Sequence, residues 1–157
     1  MKIELKINGK AIELSEETKE QIKKACGQVK LRPTMEEKYW AITGGEVGSF
    51  YFDGGLIDNN IWNAGNGFFT KEEAQKELAK RQAIQRVKDY ILENGMYYEP
   101  DWDNGNEKYF FASYRGKTQI HNFCSNKCYS PIGYLKSNED AEKVLEDNKE
   151  DLEIIFK

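Results

Sequence analysis

A short pattern occurs twice in this chain, and it constrains the fold more than any other feature. The segments GNGFFTKEEAQKEL, residues 65–78, and IGYLKSNEDAEKVL, residues 132–145, both place a glycine and large apolar residues before a hydroxyl residue, an acid three positions later and a helical run. Matching aromatic segments, KYWAIT from Lys38 and KYFFAS from Lys108, precede them. A repeated strand-and-helix unit predicts two related modules.

The first copy predicts an antiparallel unit followed by a long helix. We predict three short strands, at residues 39–43, 49–53 and 68–69. A Gly44-Gly45 turn joins the first two, and the segment 54–65, rich in Gly, Asn and Asp, is expected to be a loop. Thr70 and Glu73 have the spacing of a capping box, which predicts a helix that ends near Leu92.

The apolar residues of this long helix do not stay on one face. At about 100° per residue, Ala74 and Leu78 point in one direction. Ile84, Val87 and Ile91 point well away from it. We therefore expect the N-terminal half of the helix to pack on its own strands and the C-terminal half to pack on a neighbouring unit.

The second copy follows the same plan. We predict two strands, a loop and a strand-like helix entry at residues 109–113, 118–123, 125–131 and 134–135. Ser137, with Asp140 three residues later, is expected to cap a single final helix. Its apolar residues form a one-sided stripe: Ala141, Val144, Leu145, Leu152 and Ile155.

The N-terminal segment predicts a hairpin and a helix. Residues 2–7 and 10–14 alternate around Asn8-Gly9, which favours a type I′ turn, and Ser15 can cap the helix that follows. The fold class is therefore α+β: an N-terminal β-hairpin plus helix followed by two repeated antiparallel strand-strand-helix units, with helices covering one face of the strands. We place the domain boundaries at 1–35, 36–95 and 96–157.

Charge is unevenly distributed along the 157 residues. Residues 1–95 carry 15 basic and 15 acidic side chains, whereas residues 96–157 carry 8 and 12, so the net charge of −4 belongs to the last third. A protein that binds phosphates usually shows the reverse, so we do not expect direct nucleic-acid binding. No apolar run approaches the roughly 20 residues that span a bilayer, and no signal peptide is evident, so we expect a cytoplasmic protein with reduced cysteines and no membrane partner.

The only histidine lies close to two cysteines. His121, Cys124 and Cys128 are the candidate zinc ligands, but their H-x2-C-x3-C spacing is not one of the usual zinc patterns. Nucleophilic catalysis would use His121 as the base. The candidate nucleophiles are Cys124, Cys128, Ser49, Ser113 and Ser125, but no local signature accompanies any of them. We therefore predict neither a metal site nor a catalytic centre, and no cofactor.

Two further segments have alternative interpretations. Asp101-Trp102-Asp103-Asn104-Gly105-Asn106 places carboxylates at alternate positions, as calcium loops do, but its glycine and its twelfth residue do not fit such a loop. An acidic turn with Trp102 as a packing anchor is the simpler interpretation. The glycine pairs at 44–45 and 65–67 lack a nucleotide-binding fingerprint, and turns explain both.

Two surfaces are candidate binding sites. Aromatic residues crowd the predicted strands, where they either fill a small core or stack nucleobases on an exposed sheet face. The last helix has an acidic outer face that is either simply solvated or complementary to a basic partner. The candidate binding residues are Trp62, Asp101, Trp102, Asp103, Glu139, Glu142, Glu146 and Glu150.

Three segments carry a resemblance to a known group of proteins. GNGFFTKEEAQKELAKRQAIQRVKDY, DWDNGNEKYFF and EDAEKVLEDNKEDLEIIF resemble small, mostly uncharacterised proteins encoded by phages and prophages of Firmicutes-like bacteria. The shared pattern is an aromatic strand, GN-x-F-x-T-x-EEA, a Trp-Asp segment, KY and a terminal EDAE helix, over about residues 38–157. The chain departs from it between Phe50 and Gly65, where its Trp lies late, at position 62. Because some small phage proteins inhibit host defence enzymes, the resemblance implies a possible anti-CRISPR-like inhibitor.

These observations give one leading hypothesis and three alternatives. We expect a phage-encoded, non-enzymatic binding protein that blocks a host protein, such as a CRISPR-type defence nuclease, by surface occlusion or acidic mimicry. Its contacts would be the acidic last helix and the segments 54–65 and 100–107. The alternatives are a nucleic-acid-binding accessory module with an aromatic sheet face, a small enzyme built around His121, and a structural or small-molecule-binding accessory protein. The sequence does not indicate an oligomeric state.

Overall fold

The computed structural model describes residues 5–7, 10–12, 15, 17–18, 31–123 and 129–156. Strands β1 (Leu5–Ile7) and β2 (Lys10–Ile12) form the predicted antiparallel hairpin. Ser15 Oγ accepts from the amide of Thr18 at 3.2 Å, as expected for a helix cap. Beyond Thr18, the helix predicted to follow lies outside the described residues.

The described residues of the two repeats form seven strands and four helices. The strands are β3 (Lys38–Thr43), β4 (Glu46–Tyr51), β5 (Gly67–Phe68), β6 (Tyr97–Tyr98), β7 (Lys108–Tyr114), β8 (Lys117–Phe123) and β9 (Tyr134–Leu135). The helices are α1 (Leu56–Asn63), α2 (Lys71–Glu93), α3 (Asn138–Asp147) and α4 (Lys149–Phe156). The α+β class is thus confirmed.

The two repeats share one sheet topology. In the first, β3 lies between β4 and β5, and in the second, β7 lies between β8 and β9, with β6 added beyond β9. All of these strand pairs are antiparallel. Each central strand therefore pairs with the strand that follows it and with the short strand that leads into the next helix, as the repeated sequence predicts.

The register of the two sheets differs by one residue from the sequence match. Trp40 pairs with Phe68 in the first sheet, and Tyr109 pairs with Leu135 in the second. Phe68 and Leu135 hold the same place in the repeated pattern, two residues before Thr70 and Ser137. Trp40 therefore corresponds to Tyr109, and Tyr39 corresponds to Lys108. Aligning KYWAIT with KYFFAS by identity is wrong by one position, and a shift of one residue in a strand moves every side chain to the other face.

The segment 54–65 is not a loop, as its Gly, Asn and Asp content suggested, because residues 56–63 form helix α1. No side chain caps this helix at Gly55. Two of its side chains hold it in place: Asn59 Nδ2 donates to the carbonyls of Gly54 and Gly55 at 2.8 and 2.9 Å, and the buried Asp58 accepts from Tyr39 Oη of the first sheet. Tertiary contacts outweigh the weak helix propensity of this segment.

The final helical region is also divided, although a single helix was expected. α3 ends at Asp147, and Asn148 adopts φ −121° before α4 begins at Lys149. The Asn148 side chain donates to the carbonyl of Val144 at 3.3 Å, which satisfies a group at the end of α3. The predicted apolar stripe is confirmed across the break, because Ala141, Val144 and Leu152 are fully buried.

The long helix α2 joins the two repeats, as its drifting apolar stripe predicted. Ala74, near its start, is buried where α2 contacts β3, β4 and β5. Ala83, Val87 and Ile91, in its second half, belong to the main hydrophobic cluster. The rest of that cluster comes from the second repeat: Met96, Phe111, Ile132, Leu135, Ala141, Val144, Leu152 and Ile155.

Candidate functional site

The last two helices carry a large excess of acidic side chains. Residues 138–156 contain eight Asp or Glu and two Lys. Apart from the exposed Ile154, the apolar residues of both helices pack on the core, so most of the carboxylates lie on the outer side. Glu139, Glu142, Glu146 and Glu150 are all exposed, as the sequence predicted for this face. We call α3 and α4 together with these side chains the acidic face.

A groove opens in the acidic face beside strand β8. It has a volume of about 690 Å³, and we call it the acidic groove. Its principal lining residues are Lys117, Thr118, Glu142, Leu145, Glu146 and Phe156. Leu145 and Phe156 are half-buried and pack on the main core with their inner sides. The groove therefore has apolar side chains between two glutamates of α3 and a lysine of β8.

Contacts on both sides hold the walls of the groove. Thr118 Oγ1 donates to the carbonyl of Leu152 at 3.3 Å, which ties β8 to α4. At the end of the hairpin, Arg115 and Gly116 both have positive φ, of 51° and 72°, as a tight two-residue turn requires. Gly116 of this turn and Lys149 and Glu153 of α4 complete the lining. The groove is thus built from secondary-structure elements whose relative positions are set by packing.

Two polar contacts join the acidic face to helix α2. Arg86 makes two hydrogen bonds to Asp151, at 2.9 and 2.5 Å. These bonds lower the pKa of the Asp151 carboxyl and raise that of the Arg86 guanidinium. The Tyr90 hydroxyl donates to Asp147, and this bond, with a smaller contribution from burial, raises the pKa of Tyr90 to about 12. Asp147 and Asp151 therefore have partners within the chain.

The four predicted glutamates do not share one site. Glu142 and Glu146 line the acidic groove. Glu139 lies beside Tyr109 and Lys136 at the start of α3, and Glu150 lies beside Arg86 and Asn148 at the break between the helices. Lys117, Thr118, Leu145 and Phe156 were not predicted as site residues. Nothing in the sequence pattern indicates that the β7–β8 hairpin lies beside α3, and Leu145 reads as an ordinary core position.

Trp62 lies on the first sheet and not on an open surface. Its ring is 5.7 Å from that of Tyr39 and 5.1 Å from that of Phe69, and it covers Gly67. A Cβ atom at Gly67 would be 2.5 Å from Trp62 Cε2. Trp62 Nε1 is buried and finds no hydrogen-bond partner among the described residues. These contacts give Trp62 a packing role, and its participation in binding stays a prediction.

The segment around Trp102 covers the second sheet in a similar way. Trp102 packs edge-on against Tyr134 at 5.3 Å, and Lys108 Nζ lies 5.4 Å from its ring. Asp101 and Asp103 are exposed, and the Asp103 amide donates to Asp101 Oδ1 at 3.0 Å. This is the acidic turn with a packing anchor that the simpler interpretation predicted. Binding by Asp101 and Asp103 stays a prediction.

His121 lies within the second sheet. Its ring is 5.8 Å from that of Phe110, and its Nε2 atom is buried without a hydrogen-bond partner in the described part of the chain. Cys124 and Cys128 lie outside the described residues, so their relation to His121 stays a prediction. Across residues 31–123 and 129–156 and the short N-terminal pieces, no three His, Cys, Asp or Glu side chains are grouped to hold a metal ion.

Helices were expected on one face of the strands, but the first sheet is covered on both. Tyr39 contacts Trp62 of α1 on one face, and Lys71 of α2 lies 5.6 Å from the Trp40 ring on the other. In the second sheet, Phe110 is buried. The aromatic residues that remain exposed are separated along the described chain: Tyr51, Tyr97, Tyr114, Phe123 and Tyr129.

Within the described residues, no helix combines the length and the apolar character that crossing a bilayer requires. No family model, curated protein or solved structure matches this chain.

Proposed function

We propose that this chain is a non-enzymatic binding protein that occupies a basic surface of another protein with its acidic face. The observation that carries the proposal is the distribution of charge on α3 and α4, with eight carboxylates and two lysines on helices whose apolar sides are already buried. Complementary charge across an interface steers association and selects the partner. A partner with a cluster of Lys and Arg side chains is therefore favoured.

The resemblance to phage and prophage proteins suggests which basic surface this is. A CRISPR-type nuclease holds its guide and target strands in a positively charged channel. A protein that presents rows of carboxylates competes with nucleic acid for such a channel. We propose that the target is a defence nuclease of the host cell, in the cytoplasm, and that inhibition is steric and electrostatic.

Stacking of single-stranded nucleic acid on an aromatic sheet is the less favoured alternative. It requires several neighbouring rings on an open sheet face. Tyr39 and Phe110 are buried instead, and Trp40 lies beneath the amines of Lys38 and Lys71. A gel shift with labelled single strands would nevertheless reveal this activity directly.

The test is inhibition of DNA cleavage by purified, guide-loaded CRISPR nucleases from Firmicutes hosts. The acidic-face variant carries Glu→Gln at positions 139, 142, 146 and 150. The control variant carries Glu→Gln at four exposed positions elsewhere, 36, 46, 72 and 93, so both lose the same charge. We expect the wild type and the control to inhibit cleavage and the acidic-face variant to lose at least about tenfold in potency. Equal potency of the two variants, or no inhibition of any nuclease, would overturn the proposal.

A further inference from the structure

The acidic groove differs from the rest of the acidic face because it offers apolar contact as well as charge. Leu145 and Phe156 are only half-buried, although both pack on the core, so part of each side chain is open to the groove. A volume of about 690 Å³ lies in the range of pockets that accept a drug-sized ligand and is ample for one large side chain. Buried apolar anchors of this kind dominate the energetics of protein interfaces.

Two of the carboxylates that line the groove lie on α3. Glu142 and Glu146 lie four residues apart on α3, which separates them by about 6 Å along the helix axis. Two cations one turn apart on a partner helix have the same spacing. Glu142 is held in place by Asn138, whose Nδ2 donates to Glu142 Oε1 at 2.7 Å. The wall therefore matches a helix with a row of Lys or Arg.

The other residues that line the groove favour one orientation of the partner helix. On β8 the groove is lined by Lys117, and on α4 by one lysine and one glutamate, Lys149 and Glu153. A partner helix that turned its basic row toward Lys117 would place like charges together, and such contacts disfavour the wrong orientation. The partner helix is therefore asymmetric, with cations toward α3 and neutral or acidic residues toward β8.

We infer that the acidic groove binds a basic amphipathic helix of the partner protein, with one large apolar side chain inserted between Leu145 and Phe156 and two cations paired with Glu142 and Glu146. This inference rests on the proposed function and names the element of the partner that the acidic face recognises. The inferred binding site is limited to the groove, and Glu139 and Glu150 of the acidic face lie outside it. Nucleic acid is not an occupant because its phosphates would face the two glutamates.

The test uses fluorescein-labelled helical peptides and fluorescence anisotropy. The probe peptide carries two Lys one turn apart and a Phe on the adjoining face. The first control peptide has Ala in place of the Phe, and the second has Glu in place of both Lys. We expect the probe to bind at least about tenfold more tightly than either control, and more weakly as salt rises from about 50 to about 300 mM. Equal binding of the probe and the Ala peptide would overturn the inference.

Matched variants locate the site. We expect Glu142→Gln with Glu146→Gln to weaken probe binding about tenfold, and Glu139→Gln with Glu150→Gln, which removes the same charge, to have less than about a twofold effect. Equal effects of the two pairs would contradict a site in the groove. We expect Phe156→Ala, with its fold checked by circular dichroism, to abolish the preference for Phe over Ala. If nuclease inhibition is lost in the acidic-face variant while the Phe peptide shows no preference, the proposed function stands and the groove inference fails.

Discussion

Tyr39 and Lys108 occupy equivalent positions in the two sheets, and each buries a polar side chain beside a tryptophan. Both are fully buried, and each lies against a tryptophan, Trp62 and Trp102 respectively. The Tyr39 hydroxyl donates to Asp58 at 2.6 Å, and Lys108 Nζ donates to Asn104 Oδ1 at 3.1 Å. Buried polar groups need partners, so each repeat supplies a polar residue from the segment that covers its sheet.

The Asp58 carboxylate fixes the start of α1, and replacing it is expected to destabilise the fold. It accepts hydrogen bonds from Tyr39 Oη and from the amides of Asp53 and Gly54 at 2.6 and 3.2 Å. In Asp58→Asn, the side-chain amide faces backbone donors, and we expect a loss of about 2–3 kcal/mol in the free energy of unfolding. Tyr39→Phe removes one bond and is expected to cost about 1–2 kcal/mol. Urea denaturation measures both, and an Asp58→Asn variant as stable as wild type would contradict this role.

Stability is expected to fall in acid because two carboxyl groups are ionised more readily in the folded chain. Burial opposes ionisation of Asp58, but its hydrogen bonds from Tyr39 and two amides lower its pKa, and Arg86 lowers the pKa of Asp151. The stabilisation is present above the unfolded value of about 3.9 and is lost as pH falls through the folded values. We expect the melting temperature to fall below about pH 4.

The control for this pH dependence is a pair of Asp→Asn variants. Asp151→Asn removes one of the two linked groups, so its melting temperature is expected to vary less with pH in acid than that of the wild type. Asp101→Asn changes an exposed carboxyl that accepts a local hydrogen bond, from the amide of Asp103. A wild-type melting temperature that stays constant between about pH 5 and about pH 2 would show that neither group is linked to folding.

Gly67 is expected to tolerate no side chain while Trp62 covers it. In Gly67→Ala, the new methyl group would meet the rigid indole at 2.5 Å, so the ring or strand β5 must move. We expect a cost of about 1–3 kcal/mol in the free energy of unfolding. Trp62→Phe removes the atoms that clash, so Gly67→Ala should cost less in that background. A double-mutant cycle in guanidinium chloride measures the coupling, and strict additivity would contradict the contact.

The two helix caps are expected to contribute similarly to stability. Thr70 Oγ1 accepts from the amide of Glu73 at 3.2 Å, and Ser137 Oγ accepts from that of Asp140 at 3.1 Å. Thr70→Ala and Ser137→Ala should each lower the free energy of unfolding by about 1 kcal/mol, whereas Thr70→Ser should have a smaller effect. Thermal denaturation of the three variants checks this, and an Ala variant equal to its Ser or Thr counterpart would contradict a capping role.

Local signals predicted the elements of the fold well. Thr70 and Glu73 form the reciprocal bonds of a capping box, and Gly44-Gly45 joins two paired strands. These features depend on a few neighbouring residues, so their spacing in the sequence is sufficient. Helix α1 was missed because the contacts that stabilise it, such as the bond from Tyr39 to Asp58, join residues far apart in the sequence.

The register of the two sheets and the acidic groove could not be predicted either, because both depend on contacts between residues far apart in the sequence. The identity of Lys38 and Lys108 suggested one alignment of the repeats, but pairing with β5 and β9 sets another. The glutamates of the acidic face were visible as a helical stripe. The groove also needs Thr118 of β8 beside Leu145 of α3, and this neighbour relation exists only once the second sheet and α3 are packed.

The sharing of helix α2 has a consequence for how this duplicated chain can be taken apart. Its 23 residues extend about 35 Å, and its second half completes the core of the other repeat. A fragment that stops before residue 83 would leave that core without Ala83, Val87 and Ile91. The two copies are therefore not interchangeable units, because removing the first copy together with α2 would open the core of the second.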